Sequence, residues 1–175
     1  MAALTRRPSV RPVAPDDVPA VVALVHELAD YERLPQDCHL TVDALHTALF
    51  PTGPDARPAV YCLVVDDDGA IIGYALYFLS FSTWEGVHGI YLEDLYVSPA
   101  SRGSGSGRAL LTELARIAVA RGYARVEWSV LDWNAPAIEF YRRLGARPMD
   151  GWSVYRLTGP DLVERAGEAA RHAPG

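Results

Sequence analysis

Apolar residues recur along this chain with two different spacings, and the switches between them mark the elements. Val10 to Val13 reads as a short strand bounded by prolines. Pro15-Asp16-Asp17 then offers capping carboxylates before Val18, Val21, Val22, Val25 and Leu28, whose spacing predicts an amphipathic helix. That helix ends near Arg33, because Pro35 disfavours helical geometry at Leu34. Leu34 to Leu40 reads as a mobile loop. Thr41 caps a short second helix carrying Leu45 and Leu49, and Pro51-Thr52-Gly53-Pro54 breaks it.

Strand signals come next. Val60 to Val65 is rich in β-branched residues, Asp67-Asp68-Gly69 marks a tight turn, and Ile71 to Phe81 continues as the hairpin partner. Trp84-Glu85-Gly86 turns the chain again into a strand over Ile90 to Val97. Ser98 to Gly107 is a loop of small residues. Ala109, Leu110, Leu114, Ile117 and Ala118 form one apolar helical face, closed at Gly122. Val126 to Leu131 reads as a strand, and Asn134 to Leu144 as a helix with Pro136 in its first turn and Gly145 past its end. Trp152 to Leu157 reads as a last strand, with a polar, alanine-rich tail beyond it that frays.

Two strands joined through a packed helix, here Ile90 to Leu131, run parallel with a right-handed crossover. The earlier strands connect through tight turns and pair antiparallel. The pattern therefore predicts a mixed sheet, α/β of the α+β type. No internal repeat or second boundary is visible, so one domain is expected over 1–170, with a frayed end at 171–175.

Composition narrows the chemistry. Of 175 residues, 16 are basic and 22 acidic, for a net charge of −6, and every basic residue is arginine. That balance argues against nucleic-acid or anionic-membrane partners, which require a basic footprint, and favours cationic ones. No apolar run reaches the length of a membrane span, and Met1 to Arg7 lacks the apolar core of a signal peptide. Cys38 and Cys62 make no disulfide framework and read as structural thiols in a reducing cytoplasm. The five histidines share no ligand spacing with each other or with cysteine, so no metal site is expected.

The sharpest motif is Arg102-Gly103-Ser104-Gly105-Ser106-Gly107, set between a strand and a helix. Glycines let backbone N–H groups approach a phosphate closely, and the helix N-terminus adds a positive dipole end. A purely connecting Gly/Ser loop is the competing reading. Walker-type chemistry needs a lysine, which the chain lacks, and the alternating glycines do not fit the dinucleotide G-x-G-x-x-G pattern.

Arg102-x-x-Gly105-x-Gly107 resembles the Gln/Arg-x-x-Gly-x-Gly/Ala acyl-CoA loop of the GNAT acetyltransferase superfamily. The resemblance extends over Tyr91-Leu92-Glu93-Asp94-Leu95-Tyr96-Val97 and Trp133-Asn134-x-Pro136-x-Ile138-x-Phe140-Tyr141-x-x-x-Gly145-Ala146. It also reaches Glu27-Leu28-Ala29-x-Tyr31-Glu32 and Gly73-Tyr74-Ala75, and within the superfamily it is similar to the diamine (spermidine/spermine-type) and thialysine N-acetyltransferases.

The resemblance implies a GNAT fold, a mixed central sheet with a splayed parallel strand pair and flanking helices, and a homodimer. It implies acetyl-CoA as co-substrate, with the pyrophosphate on Arg102 to Gly107 and the pantetheine arm along main-chain groups near Leu95 and Val97. With no lysine present, further phosphate contacts fall to backbone amides and to Arg102, Arg108, Arg142 or Arg143. Asn134 matches a position touching pantetheine, and equally suits a helix N-cap. Tyr141 matches the tyrosine that protonates the departing sulfur; simple packing beside Phe140 is the alternative.

Glu93 matches the residue that receives the amine proton, and Asp94 one that positions a cationic substrate. Adjacent strand residues face opposite sides of a sheet, so they form no pair unless a bulge re-aims one of them. Glu32 and Trp84 match substrate-binding positions, while Ser82 stands where the polyamine type carries an acid. An alkyl ammonium with pKa ~10.4 is neutral in only about one molecule in 2,500 at pH 7, a barrier contribution of roughly 4.6 kcal/mol, so proton removal is a central demand. The expected activity is direct acetyl transfer to a primary amine of a diamine, polyamine or lysine-like molecule. A non-catalytic acyl-CoA sensor and a GNAT enzyme for another amine, such as an antibiotic or protein N-terminus, are the alternatives.

Overall fold

The sheet arises from the strand-forming runs almost in the order they occur. The computed structural model describes residues 8–171. Strands β1 (Ser9–Pro12), β2 (Tyr61–Asp67), β3 (Ala70–Ser82), β4 (Val87–Val97) and β5 (Val126–Glu127) lie in the order β1-β2-β3-β4-β5. The first three pairings are antiparallel and β4–β5 is parallel. Three helices accompany them: α1 (Val18–Tyr31), α2 (Val42–Leu49) and α3 (Ser106–Ala120). These elements form one unit ending at Trp133, and a second unit begins at Asn134 with α4 (Ala135–Arg143) and α5 (Gly159–Arg171).

Local signals explain the first unit. The Asp17 carboxylate accepts from the Ala14 N–H at 2.7 Å and from Arg11 at 2.6 Å, tying β1 to the entry of α1. The Thr41 hydroxyl caps α2 by accepting from Ala44 N–H at 3.2 Å. Val18, Val21, Val22 and Leu24 of α1 pack with Leu45 and Leu49 of α2 against Val64, Tyr74, Leu76 and Tyr96 of the sheet. Alternate residues Leu63, Val65 and Ala75 are buried as well, and α3, whose Leu110 and Leu114 are fully buried, contacts β3 and β4. The near-continuous apolar run of β2 thus reflects a sheet covered on both faces.

Three expectations are corrected. The parallel strand expected over Val126 to Leu131 pairs only at Val126 and Glu127. Residues Trp152 to Leu157 form no strand, although their alternation suits one, and Trp152, Val154, Tyr155 and Leu157 are exposed. β propensity supplies no ladder partner, and without one no strand exists. The tail expected to fray instead forms α5, with Asp161 in its first turn and Arg165 bridging Glu168 at 2.7 Å. Residues 172–175 and Met1 to Arg7 lie outside the described residues.

Candidate active site

The glycine loop leads directly into α3. Gly103 and Gly105 have φ of 79° and 89°, and Gly105 is the left-handed N-cap of the helix. A Cβ at Gly105 would meet nothing within 4 Å, so the demand for glycine there is conformational, about 1–2 kcal/mol, and not a matter of crowding. Gly105 offers no capping side chain. The Ser104 hydroxyl binds the Ser101 carbonyl and the Ser106 hydroxyl, each at 2.7 Å, and so shapes the loop from within. Left-handed glycines and a 15-residue helix whose first N–H meets only the Ser104 hydroxyl, at 3.4 Å, suit a pyrophosphate. The acetyl-CoA reading fits these residues. Arg108 lies exposed in the first turn of α3.

Arg102 is directed elsewhere. Its Nε donates to the Val97 carbonyl at 3.1 Å, and its guanidinium carbon sits 5.0 Å from the Tyr31 ring and 5.4 Å from the Tyr96 ring. Beside the loop, β4 and β5 part early. Their pairing covers Ile90 and Tyr91 alone, and the Tyr91 hydroxyl meets Ser129 Oγ at 2.9 Å just beyond. From Leu92 to Val97, a stretch that includes Leu95, β4 has no strand on that flank among the described residues.

The carboxylates gather on β4. Its register against β3 slips between Leu76, opposite Asp94, and Tyr77, opposite Leu92, so Glu93 is the extra residue of a bulge. This is the condition under which neighbouring acids escape strict alternation. Glu93 is exposed, whereas Asp94 is half-buried. Burial pushes the Asp94 carboxyl up to about 6, and the negative charges of Glu93 and Glu32 push the same way. The buried Tyr74 hydroxyl opposes them only weakly, since it makes no hydrogen bond to the carboxyl. Tyr74 is fully buried, and that burial holds its own phenol far from ionising. Glu32, just past the end of α1, is also raised by burial. The charges of Glu32 and Glu93 thus both act on half-buried Asp94 and disfavour its ionised form.

Trp84 does not join these acids within one chain. It lies in the β3–β4 turn, 91 % exposed. Asp94 is seven residues up β4 from Val87, about 23 Å at strand rise, so the two share no single-chain site. Ser82, lacking the acid, has a structural duty: its Oγ accepts from the Glu85 N–H at 3.2 Å and shapes the same turn. Cys62 is buried and Cys38 half-buried, and both are free thiols. Burial raises the Cys62 thiol to about 12, which keeps it protonated and unreactive at neutral pH. Among the described residues, no group of three His, Cys, Asp or Glu side chains has the placement to hold a metal.

In the second unit, Asn134 caps α4, its Oδ1 accepting from the Ala137 N–H at 3.3 Å. Tyr141 is seven residues on, two turns and about 10 Å along the same face, with its ring 5.3 Å from Phe140. Arg143 points away from that face by helical geometry and pairs with Glu139 at 2.9 Å. Tyr74 is the residue that sequence reasoning leaves without a role. Its hydroxyl is one of three in the run Ile71 to Phe81, with those of Tyr77 and Ser80, so residue type does not single it out.

Comparison with known proteins converges with this geometry. Residues 23–146 match the acetyltransferase (GNAT) family. The chain is 34 % identical over 170 residues to a thialysine N-epsilon-acetyltransferase of Bos taurus, covering 91 % of this chain and 97 % of that one. It is 31 % identical to an L-ornithine N5-acetyltransferase of Arabidopsis thaliana, over 87 % of this chain and 85 % of that one. An integron cassette protein from the mobile metagenome of V. cholerae has a similar structure, with a TM-score of 0.76, 25 % identity, and 92 % and 98 % of the two chains covered. With the glycine loop, the parted β4–β5 pair and the family match in agreement, the chain belongs to the GNAT acetyltransferase family.

Proposed function

We propose that the chain transfers an acetyl group from acetyl-CoA directly to a primary amine of a small cationic molecule, a lysine-like amino acid or a diamine. The observation that carries this reading is half-buried Asp94, beside Glu93 at the bulge of β4 and under the charge of Glu32 at the end of α1. Acetyl-CoA supplies an acetyl carbon already activated as a thioester. The loop amides from Gly103 to Gly107, with Arg108 in the first turn behind them, would hold its pyrophosphate, whereas Arg143 is engaged by Glu139. Main-chain groups near Leu95 and Val97, on the flank that β5 leaves, and the Asn134 side chain would orient the pantetheine arm, the Val97 carbonyl itself being taken by Arg102. Asp94 and Glu32 hold the ammonium, and Glu93, exposed to water, accepts its proton. The Tyr141 hydroxyl returns a proton to the departing sulfur. No cysteine takes part, in keeping with the raised Cys62 thiol.

Two relatives named for amino-acid side-chain amines, thialysine and ornithine, support the lysine-like class. Ser82 in place of an acid weakens the attraction for a long polycation. The reading takes residues 1–170 as one acetyltransferase domain acting in the cytoplasm, where two free thiols persist. It also takes the chain as a homodimer. The exposed Trp152, Val154, Tyr155 and Leu157 are a strand-like apolar segment for a second copy to cover, and a role for Trp84 in amine binding requires that copy.

The test is product identification by mass spectrometry after incubation with acetyl-CoA and single amines. L-Ornithine, thialysine and putrescine are expected to gain one acetyl group, with kcat/KM for the amino acids above that for spermidine. Acetylation of amino sugars alone would replace this substrate class with another, and coenzyme A binding without any acetylated product would favour the sensor.

A further inference from the structure

Arg102 opens the glycine loop, where its charge has an obvious use against phosphate, yet its guanidinium is engaged away from the loop amides. Tyr31 from α1 and Tyr96 from β4 present their rings to the same cation, at 5.0 Å and 5.4 Å, and the Val97 carbonyl takes its Nε–H at 3.1 Å. Tyr96 is nearly buried, and its hydroxyl donates to Glu27 of α1 at 3.4 Å. The last turns of α1 are thus tied to Arg102, the first residue of the loop, directly at Tyr31 and through Tyr96 at Glu27.

The chain just beyond Tyr31 gives the tie a purpose. The next residue is Glu32, one of the acids acting on Asp94. After it, Arg33 has φ of 63°, a left-handed conformation costly for a residue with a Cβ, so the chain turns sharply just past Glu32. Arg33 lies 5.9 Å over the Trp133 ring, and Trp133 lies 6.0 Å from Tyr31. The strained turn is held by the same aromatic stack that holds Arg102. Glu32 therefore sits between two anchors, Tyr31 beneath Arg102 and Arg33 over Trp133.

We propose that Arg102 is a positioning residue for the amine side of the reaction: clamped between Tyr31 and Tyr96, it fixes the end of α1 and with it Glu32. The proposal rests on the amine-acetyltransferase reading above. It assigns the phosphate contacts of the loop to backbone amides, and it separates two roles that predict different variants. A phosphate ligand acts alone through its charge. A clamp acts through its rings, so removing the cation or a ring has the same effect.

The experiment compares Arg102→Met, Tyr31→Leu, the double variant and Tyr31→Phe. Steady-state kinetics use L-ornithine and putrescine, and calorimetric titration uses coenzyme A alone. Arg102→Met and Tyr31→Leu are each expected to raise the amine KM roughly 3- to 30-fold, with the double variant no worse than the poorer single one. Tyr31→Phe, which keeps the ring, is expected to raise the amine KM less than Tyr31→Leu does. Coenzyme A affinity is expected to stay within about twofold throughout, since the loop amides are untouched. Tyr31 is on the surface, so its variants test the clamp even where Arg102→Met folds poorly. A salt-dependent loss of coenzyme A affinity confined to the Arg102 variants, with Tyr31→Leu unchanged in amine KM, overturns the proposal. Failure of the parent protein to acetylate any amine overturns instead the reading on which it rests.

Discussion

Tyr141→Phe lowers kcat by about 100- to 1,000-fold while coenzyme A binds as tightly as before. The substitution removes one hydroxyl and keeps the ring, so the contact with Phe140 at 5.3 Å survives and α4 keeps its packing. What is lost is a proton donor for the leaving sulfur. A thiol with pKa ~8.5 and a phenol with pKa ~10 are close enough for the proton to be shared as the thiolate forms. Because the interaction belongs to the transition state, kcat and kcat/KM should fall together with the amine KM unchanged. Steady-state rates by thiol detection, with calorimetric binding of coenzyme A, make the comparison. A variant that turns over at the parent rate removes Tyr141 from the chemistry and leaves it as packing beside Phe140.

Asp94→Asn gains stability and loses activity. The Asp94 carboxyl is raised from 3.8 to about 6 by burial and by the charges of Glu93 and Glu32. A raised carboxyl binds its proton more tightly in the folded state than in the unfolded one. Stability therefore falls as pH rises between about 4 and 6, and above 6 the folded protein carries the full cost of an ionised, half-buried acid. The rise from 3.8 to about 6 corresponds to at most about 3 kcal/mol, which the asparagine would recover at pH 7. Urea unfolding at pH 7 and at pH 4 should show the gain at the higher pH only. In the parent, kcat/KM should rise with pH through about 6 as Asp94 ionises, and the variant should lose that limb along with much of its rate. A variant that is neither more stable nor less active would detach Asp94 from the amine site. Such a trade of stability for function is what a strained charged site implies.

The parts of this fold legible in the sequence are those with local causes. Thr41 marks the start of α2 because its hydroxyl meets the Ala44 N–H, and Asp67-Asp68-Gly69 marks the β2–β3 turn because Asp68 and Gly69 take φ of 53° and 91°. The glycine loop is readable for the same reason. Two of the three corrections to the fold concern strand partners. Val126 to Leu131 and Trp152 to Leu157 have strand composition, but a strand ends where its ladder ends, and a single segment does not show where that is. The bulge at Glu93 has no residue signature either, since it lies in the register between β3 and β4.

Within the site, residue type points to Glu32, Glu93, Asp94 and the loop, whereas orientation depends on packing. Asp94 differs from Glu93 because the bulge leaves one half-buried and the other exposed. Arg102 is expected at the phosphates on the strength of its position, and its placement against Tyr31 and Tyr96 comes from elements 71 and 6 residues away in the chain. Trp84 is the opposite case. Its separation from Asp94 is a matter of hairpin length, which the turn at Trp84-Glu85-Gly86 already implies.

Direct transfer is the central claim, and rapid mixing with acetyl-CoA tests it in one trace of free thiol. Without amine, no thiol should appear on the time scale of turnover. With L-ornithine, thiol should be released linearly from the first turnover, one equivalent for each acetylated amine. A burst of thiol equal to the protein concentration in the absence of amine would mean an acetyl-enzyme, and no thiol with any amine would mean that the site binds acetyl-CoA without using it.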